Sequence, residues 1–379
     1  MIIETFIRWA EKAKASERAK AANALGRAYL HSVMDAHERQ AALLAMTWLL
    51  DDSSPKVRLA LAQALGGAEQ APRALVLSLC LDQPEIAAEV IGRSPILSDI
   101  DLVDLAARGD GVTRALIASR YVLTQPVCAA IAEIGDEAEI EIMLANPGAI
   151  VTRHSLRRIA ERHAGSAILR EMLLEREELP LDARHRLALS LSEALGDSDL
   201  VRNILGARRS ERLLREACEE ATVALAGAAD VADMDSLIDH LAEQEFLTPA
   251  FLMQALCLGK IDFFAAAISH LSSLQEKRVR SILADGRWHA IRALYEAAGL
   301  AREMSEVFVE ATLEWRRQAL DPHAQGFGAI ALRLVDRFRS RKAIGELSSQ
   351  LIDMVERLHF VEQRQSARAY ASFLAVEAA

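Results

Sequence analysis

A chain of 379 residues that is 51% hydrophobic but only 5% aromatic, rich in Ala and Leu, is built for helices rather than for Val-, Ile- and Tyr-rich strands. Its length is enough for a large core and for two or three domains. A formal charge of −10 excludes a generally basic surface, so nucleic acid or an anionic membrane would need a local patch of the opposite sign.

Residues 1–30 read as one or two amphipathic helices with Phe6, Trp9, Ala13, Leu25 and Leu30 on the apolar side, a helical cap spanning 1–37. Glu4, Arg8, Glu11 and Lys12 interrupt the apolar residues of this start, so no targeting segment is expected. The longest apolar run, Ala41 to Leu50, stops at Asp51-Asp52, well short of the roughly 20 residues of a membrane span. A cytoplasmic protein with no membrane association is the expectation.

The stretch from Asp51 to Gly67 is a helix with its punctuation. Ser53 or Ser54 can cap it, Pro55 suits the first helical position, and Val57, Ala60, Leu61, Ala64 and Leu65 form one apolar stripe. Gly66-Gly67 would end it in a left-handed conformation. The acidic turn recurs at Asp82, Asp110 and Asp136, at intervals of about 30, 28 and 26 residues. An apolar helix precedes each turn (Leu43–Leu50, Ala74–Leu81, Leu102–Ala107, Val127–Ile134), and another follows (Val57–Leu65, Ile86–Ile91, Val112–Ala118, Ile140–Leu144). One pair cannot bury both its faces, so the pairs should stack. The fold class predicted is an all-α, HEAT-like α-solenoid of stacked helix pairs over 38–228, with a helical C-terminal extension over 229–379 continuing or capping the stack.

A basic helix is predicted from Val151 to Ala167, carrying Arg153, His154, Arg157, Arg158, Arg162 and His163, followed by Glu171, Glu175, Glu177 and Glu178. Between Asp182 and Ala228 further helix pairs carry Arg202, Arg208, Arg209, Arg212 and Arg215 among Glu211, Glu216 and Glu219. A third basic cluster is Arg337, Arg339, Arg341 and Lys342. The final stripe, Leu347, Leu351, Met354, Val355 and Leu358, either packs on its own chain or forms a homodimer seam.

Signatures of chemistry are missing. The ten histidines show no HExxH, and His154 and His163 do not share a helix face at ligand spacing, so no metal is expected. Gly109-Asp110-Gly111 and Gly326-Phe327-Gly328 lack the rest of a phosphate loop, and Asp321-Pro322-His323 is a turn with a lone imidazole. No GxSxG occurs, and no cofactor is expected. Cys80, Cys128, Cys218 and Cys257 stand far apart in apolar helical runs and read as reduced core thiols.

Residues 51–66 resemble the second helix of a HEAT repeat, with an acidic turn before Val-Arg and an apolar face. The resemblance implies an Asp–Arg ladder along the stack in which Asp52 and Arg58 hold places, broken where Ala87 stands for the next arginine. The whole chain is also similar to a family known as domain of unknown function 2336, found in alphaproteobacteria. That similarity rests on Asp52 to Arg58, Ala71-Pro72, Ser94 to Asp99, Ile117 to Arg120, Asn146 to Ala149, Leu247-Thr248, Gly259-Lys260, Phe263-Phe264 and Ala298 to Leu300. It implies a cytoplasmic helical-repeat protein and hands over no catalytic residue.

The function expected is a non-enzymatic scaffold or adaptor that binds another protein through its curved surface. Its candidate partner-binding residues are Arg153, Arg157, Arg158, Arg162, Arg208, Arg209 and Arg212, with the alternative that these arginines are solvated, salt-bridged faces. Two other classes stand beside it. A HEAT-like DNA glycosylase would need Trp288, Trp315, Arg316 and Arg317 to join the 153–162 helix in one basic groove, and a repeat-type bilin lyase would hold a tetrapyrrole. A self-assembling structural protein would use the 347–358 stripe.

Overall fold

The computed structural model describes residues 2–320, 328–340 and, beyond them, 346, 349–353, 355, 356 and 360. The protein is all-α. Among the described residues the one strand-like pairing is an isolated bridge between Leu123 and Ala149. The chain divides into two compact units, Met1–Ala183 and Arg184–Ala379. The division falls inside the 38–228 segment that the periodicity reads as one run of repeats.

The first unit holds α1 (Ile2–Lys12), α2 (Ala15–His31), α3 (Ala36–Leu49), α4 (Pro55–Leu65), α5 (Arg73–Cys80), α6 (Pro84–Ile91), α7 (Asp99–Arg108), α8 (Gly111–Ala118), α9 (Gln125–Ile134), α10 (Glu137–Ala145), α11 (Arg153–His163) and α12 (Ala167–Leu174). The even-numbered helices pack in a row, α2 on α4, α4 on α6, and so on to α10 on α12. In the other row α1 packs on α3, α7 on α9 and α9 on α11, while neighbours such as α5 and α6, or α7 and α8, form pairs. The even-numbered row is continuous from α2 to α12.

Local chemistry explains the central repeat. Pro55 opens α4 where its missing N–H has no partner to lose, and Val57, Leu61 and Leu65 are fully buried. The cap differs from expectation. Ser54 is the N-cap but makes no side-chain bond, and the Asp52 carboxylate accepts the Ser54 N–H at 2.9 Å instead. Gly66 is right-handed, with φ −57°, and so is not needed for a left-handed end. A Cβ there would lie 2.2 Å from the carbonyl oxygen of Glu89, so glycine is what lets α6 approach α4.

The first two helices pack on the two that follow, α1 on α3 and α2 on α4. The buried face of α2 is Ala22, Gly26 and Tyr29, not Leu25 and Leu30, which are half-buried; Trp9 is 41% exposed. A Cβ on Gly26 would stand 2.8 Å from that of Ala64, so small residues set this seam. The basic helix predicted over 151–167 is the shorter α11, Arg153–His163, and Ala167 already opens α12. α11 ends at His163, and Ser166 caps α12 by accepting the Leu169 N–H. Ser166, an N-cap former, won over a continuous charge pattern.

The boundary helix α13 (Leu181–Asp197) is followed in the second unit by α14 (Asp199–Leu205), α15 (Ala207–Ala228), α16 (Val231–Glu243), α17 (Pro249–Cys257), α18 (Ile261–Ser272), α19 (Glu276–Asp285), α20 (Trp288–Ala297), α21 (Arg302–Ala319) and α22 (Gly328–Arg339). Its core is aromatic where the first unit's is aliphatic. Phe264, Tyr295 and Phe308 cluster with centroids 5.4 to 6.3 Å apart, and Phe251 meets Phe263 edge-on. Six consecutive residues of α18, Phe263 to Ile268, are buried, because α17, α16, α19 and α20 all pack against it. Leu351 and Val355 of the C-terminal stripe are buried; Leu347, Met354 and Leu358 lie outside the described residues, as do Arg341, Lys342, Gly326, Phe327 and the turn at Asp321 to His323.

Arginines close helix ends in both units. Arg120 donates to the carbonyls of Ile91 and Ser94, Arg162 to those of Ala132 and Gly135, and Arg316 to those of Ile282, Leu283 and Gly286. These carbonyls lie in and just past the last turns of α6, α9 and α19, where a helix C-terminus leaves acceptors to be satisfied.

Candidate functional site

An arginine stands fourth in α2, α4, α8 and α12 of the first unit, whereas α6 has Ala87 and α10 has Ile140 at that place. Arg18, fourth residue of α2, donates through Nε and Nη2 to Asp52 at 2.6 and 2.9 Å and through Nη1 to the Ala13 carbonyl at 2.7 Å. Arg58, fourth in α4, repeats this with the Asp82 carboxylate at 2.6 and 3.0 Å and the Asp52 carbonyl. Burial pushes the Asp52 and Asp82 carboxyls up, but the guanidinium bonds and a backbone N–H outweigh it, and both lie below the usual range. Arg114, fourth in α8, donates to the Gly109 carbonyl at 2.9 Å and lies 3.4 Å from Glu139 and 3.9 Å from Asp136.

Between these rungs the fourth residue of α6 is Ala87. The expected break in the ladder is therefore real, and it leaves space. A cavity of about 450 Å³ opens there, walled by the ends of α5 and α7 and the starts of α6 and α8. Its floor is apolar, with Leu77, Leu81, Ala87, Leu105, Val112 and Leu116; its edge carries Asp82, Asp104 and Asp110, with Arg108. Leu81 is 76% exposed and Val112 49%. Asp110 is exposed, and the N–H and hydroxyl of Thr113 hold its carboxyl below the ordinary range, so it is an anion at neutral pH. Among the described residues the carbonyls of Leu81 and Asp82 accept no hydrogen bond, where their counterparts at Asp52 and Gly109 receive an arginine.

The arginines singled out by sequence are largely engaged within their own unit. Arg157 pairs with the buried Asp182 at 2.6 and 3.0 Å. Arg158 grips Glu133 at 2.7 and 2.8 Å and reaches Glu161 at 3.2 Å, while Arg162 closes the end of α9. Arg153 is exposed at the start of α11. Arg208, Arg209 and Arg212 lie exposed on α15 of the other unit, with Arg212 3.9 Å from Glu216. In that unit Arg316 is occupied by the end of α19, Arg317 pairs with Glu314, and Trp288 carries Arg292 on its ring, 5.1 Å from the centroid.

A buried polar chain in the second unit escaped the sequence reading. Thr222 donates to the Cys218 carbonyl at 2.6 Å, so its oxygen accepts from Nε2 of His185 at 2.9 Å. Nδ1 of His185 is then bare and accepts from Nε2 of His240 at 3.1 Å, whose own Nδ1 faces Arg186 at 3.4 Å. Burial, with the neighbouring His240 and Arg186, pushes His185 down to about 4. The partners stand 37 and 55 residues away from His185, a separation with no local signal. Among the described residues no group of three or more His, Cys, Asp and Glu is placed to hold a metal ion, and no helix is long and apolar enough to cross a membrane.

The model of a family described as uncharacterised protein conserved in bacteria (DUF2336) matches residues 86–348. The chain belongs to this family. The match begins inside α6, so the family segment includes Ala87, α7 and α8, while the rungs at Arg18 and Arg58 precede it. No curated protein and no solved structure matches the chain.

Proposed function

We propose that this member of the DUF2336 family is a non-enzymatic scaffold or adaptor of the cytoplasm, a HEAT-like α-solenoid that binds another protein at the cavity between α6 and α8. The observation that carries the reading is the combination there of exposed apolar residues and the Asp110 carboxylate at a step of the ladder that has no arginine of its own. Folded proteins seldom leave leucine and valine so open beside a built cavity unless something covers them. The four free thiols suit a reducing compartment. Arg157, Arg158 and Arg162 contribute to the reading only as structure, since their guanidinium groups already have partners.

The test is affinity purification from the native host with the full chain, beside a Val112→Glu variant that places a charge on the floor without touching a rung. A partner recovered reproducibly with the wild type and lost with the variant supports the adaptor reading. Recovery of the same proteins by both, or of none by either, would remove the cavity as a protein-binding site.

A further inference from the structure

The ladder itself describes what the cavity is shaped to take. At α2, α4 and α8 the rung is an arginine whose Nη1 reaches the carbonyl just before its own helix. In α2 and α4 its Nε and Nη2 fork onto the carboxylate of the next acidic turn. At α6 every receiving group of that arrangement is in place except the arginine. The Leu81 and Asp82 carbonyls accept nothing among the described residues, and the Asp110 carboxylate of the next turn uses only Oδ1, for Thr113. The side chain that would join them is the methyl group of Ala87.

We propose that the open rung is a docking point for an arginine of the protein partner, inserted between α6 and α8 to complete the ladder in trans; the proposal rests on the adaptor reading and specifies its chemistry. The guanidinium donates to a carbonyl at Leu81 or Asp82 and to Asp110, as Arg58 does to Asp52 and Asp82. Apolar residues beside that arginine cover Leu81 and Val112. A lysine is a poorer fit, because a single ammonium cannot fork onto carboxylate and carbonyl in this planar pattern. Asp82 is paired with Arg58 and Asp104 with Arg108, so the attraction for a cationic segment comes from Asp110.

The test uses the full chain and short acetylated, amidated peptides of one sequence, with a central arginine flanked by leucines and a fluorescent label. In matched versions the arginine is replaced by lysine or by citrulline, which keeps the shape and removes the charge. Anisotropy titrations should show saturable binding of the arginine peptide, with the citrulline version weaker by roughly 10-fold or more and the lysine version between them. Ala87→Arg supplies the rung internally and should abolish binding of the arginine peptide while leaving the chain at least as resistant to urea as the wild type. Should Ala87→Arg fail to fold, Asp110→Asn, at an exposed position, should still weaken the arginine peptide and leave the citrulline peptide unchanged. Equal binding of arginine and citrulline peptides, undiminished binding by Ala87→Arg or Asp110→Asn, or no saturation up to about 5 mM would overturn the proposal. If those results came with a native partner still lost on Val112→Glu, the adaptor reading would stand and the arginine would fall.

Discussion

Arg58 and Asp82 face each other from successive helix starts, 24 residues apart, in a two-point contact of 2.6 and 3.0 Å. Both side chains are only 14% exposed, so neither is freely solvated. Removing the guanidinium leaves a half-desolvated carboxylate and an open carbonyl at Asp52. Arg58→Ala should therefore lower unfolding stability by about 2–4 kcal/mol, and Arg58→Lys should recover less than half of that. Arg108→Ala, which breaks a largely exposed pair with Asp104, should change it by less than about 0.5 kcal/mol. Urea midpoints read all three, and similar losses for Arg58→Ala and Arg108→Ala would contradict the ladder's role.

Acid should weaken the fold in two separate windows. His185 has its folded value lowered from 6.5 to about 4. Between those values the unfolded chain binds a proton that the folded chain refuses, so stability is complete above 6.5 and falls as pH drops toward 4, by up to about 3 kcal/mol. Asp52, Asp82 and Asp101 are lowered from 3.8; their contribution is complete above that value and is lost as pH falls further. Urea midpoints of wild type and His185→Gln should converge as the first window is crossed. Parallel curves for the two proteins would assign the first window to another group.

Gly66 and Gly67 adjoin in sequence but differ in surroundings. A Cβ at Gly66 meets the Glu89 carbonyl oxygen at 2.2 Å, whereas one at Gly67 meets nothing within 4 Å. Gly66→Ala should destabilise by about 1–3 kcal/mol as α6 is pushed away, and Gly67→Ala should be neutral or stabilising by up to about 1 kcal/mol. Thermal melts of the two variants separate the cases, and equal shifts would show that α6 adjusts freely.

Thiol reactivity should be confined to one cysteine. Burial pushes the Cys80 thiol up to about 12 and that of Cys128 up to about 11, and Cys257 is buried as well. Only Cys218, partly exposed on α15, is placed to react with Ellman's reagent before unfolding. Cys218→Ser should remove the fast phase in the native protein. A fast phase that survives this change would reveal opening of the helices around one of the other thiols.

The repeat was legible because its signals are local. Pro55 and Pro84 mark helix starts, Asp52 and Asp82 mark the turns before them, and apolar spacing fixes the buried face of α4. Ala87 was legible as a break for the same reason. What the spacing hides is pairing at a distance. Nothing near Arg18 announces Asp52, which stands 34 residues away. Arg157 and Arg158 read as a surface patch because Asp182 and Glu133, their partners, are 25 residues away. Gly66 was read from backbone preference when its reason was the approach of a different helix, and the His185–His240 contact needed the tertiary fold to exist at all.

The arginines that close helix ends have a consequence for how this protein comes off the ribosome. Arg120, Arg162 and Arg316 lie 26 to 34 residues downstream of the carbonyls they satisfy. While the nascent chain is shorter than that, those carbonyls lack their arginine. At these three places a helix end is closed by an amino acid from later in the chain, so during translation each such end stays unfinished until about 30 further residues have been added.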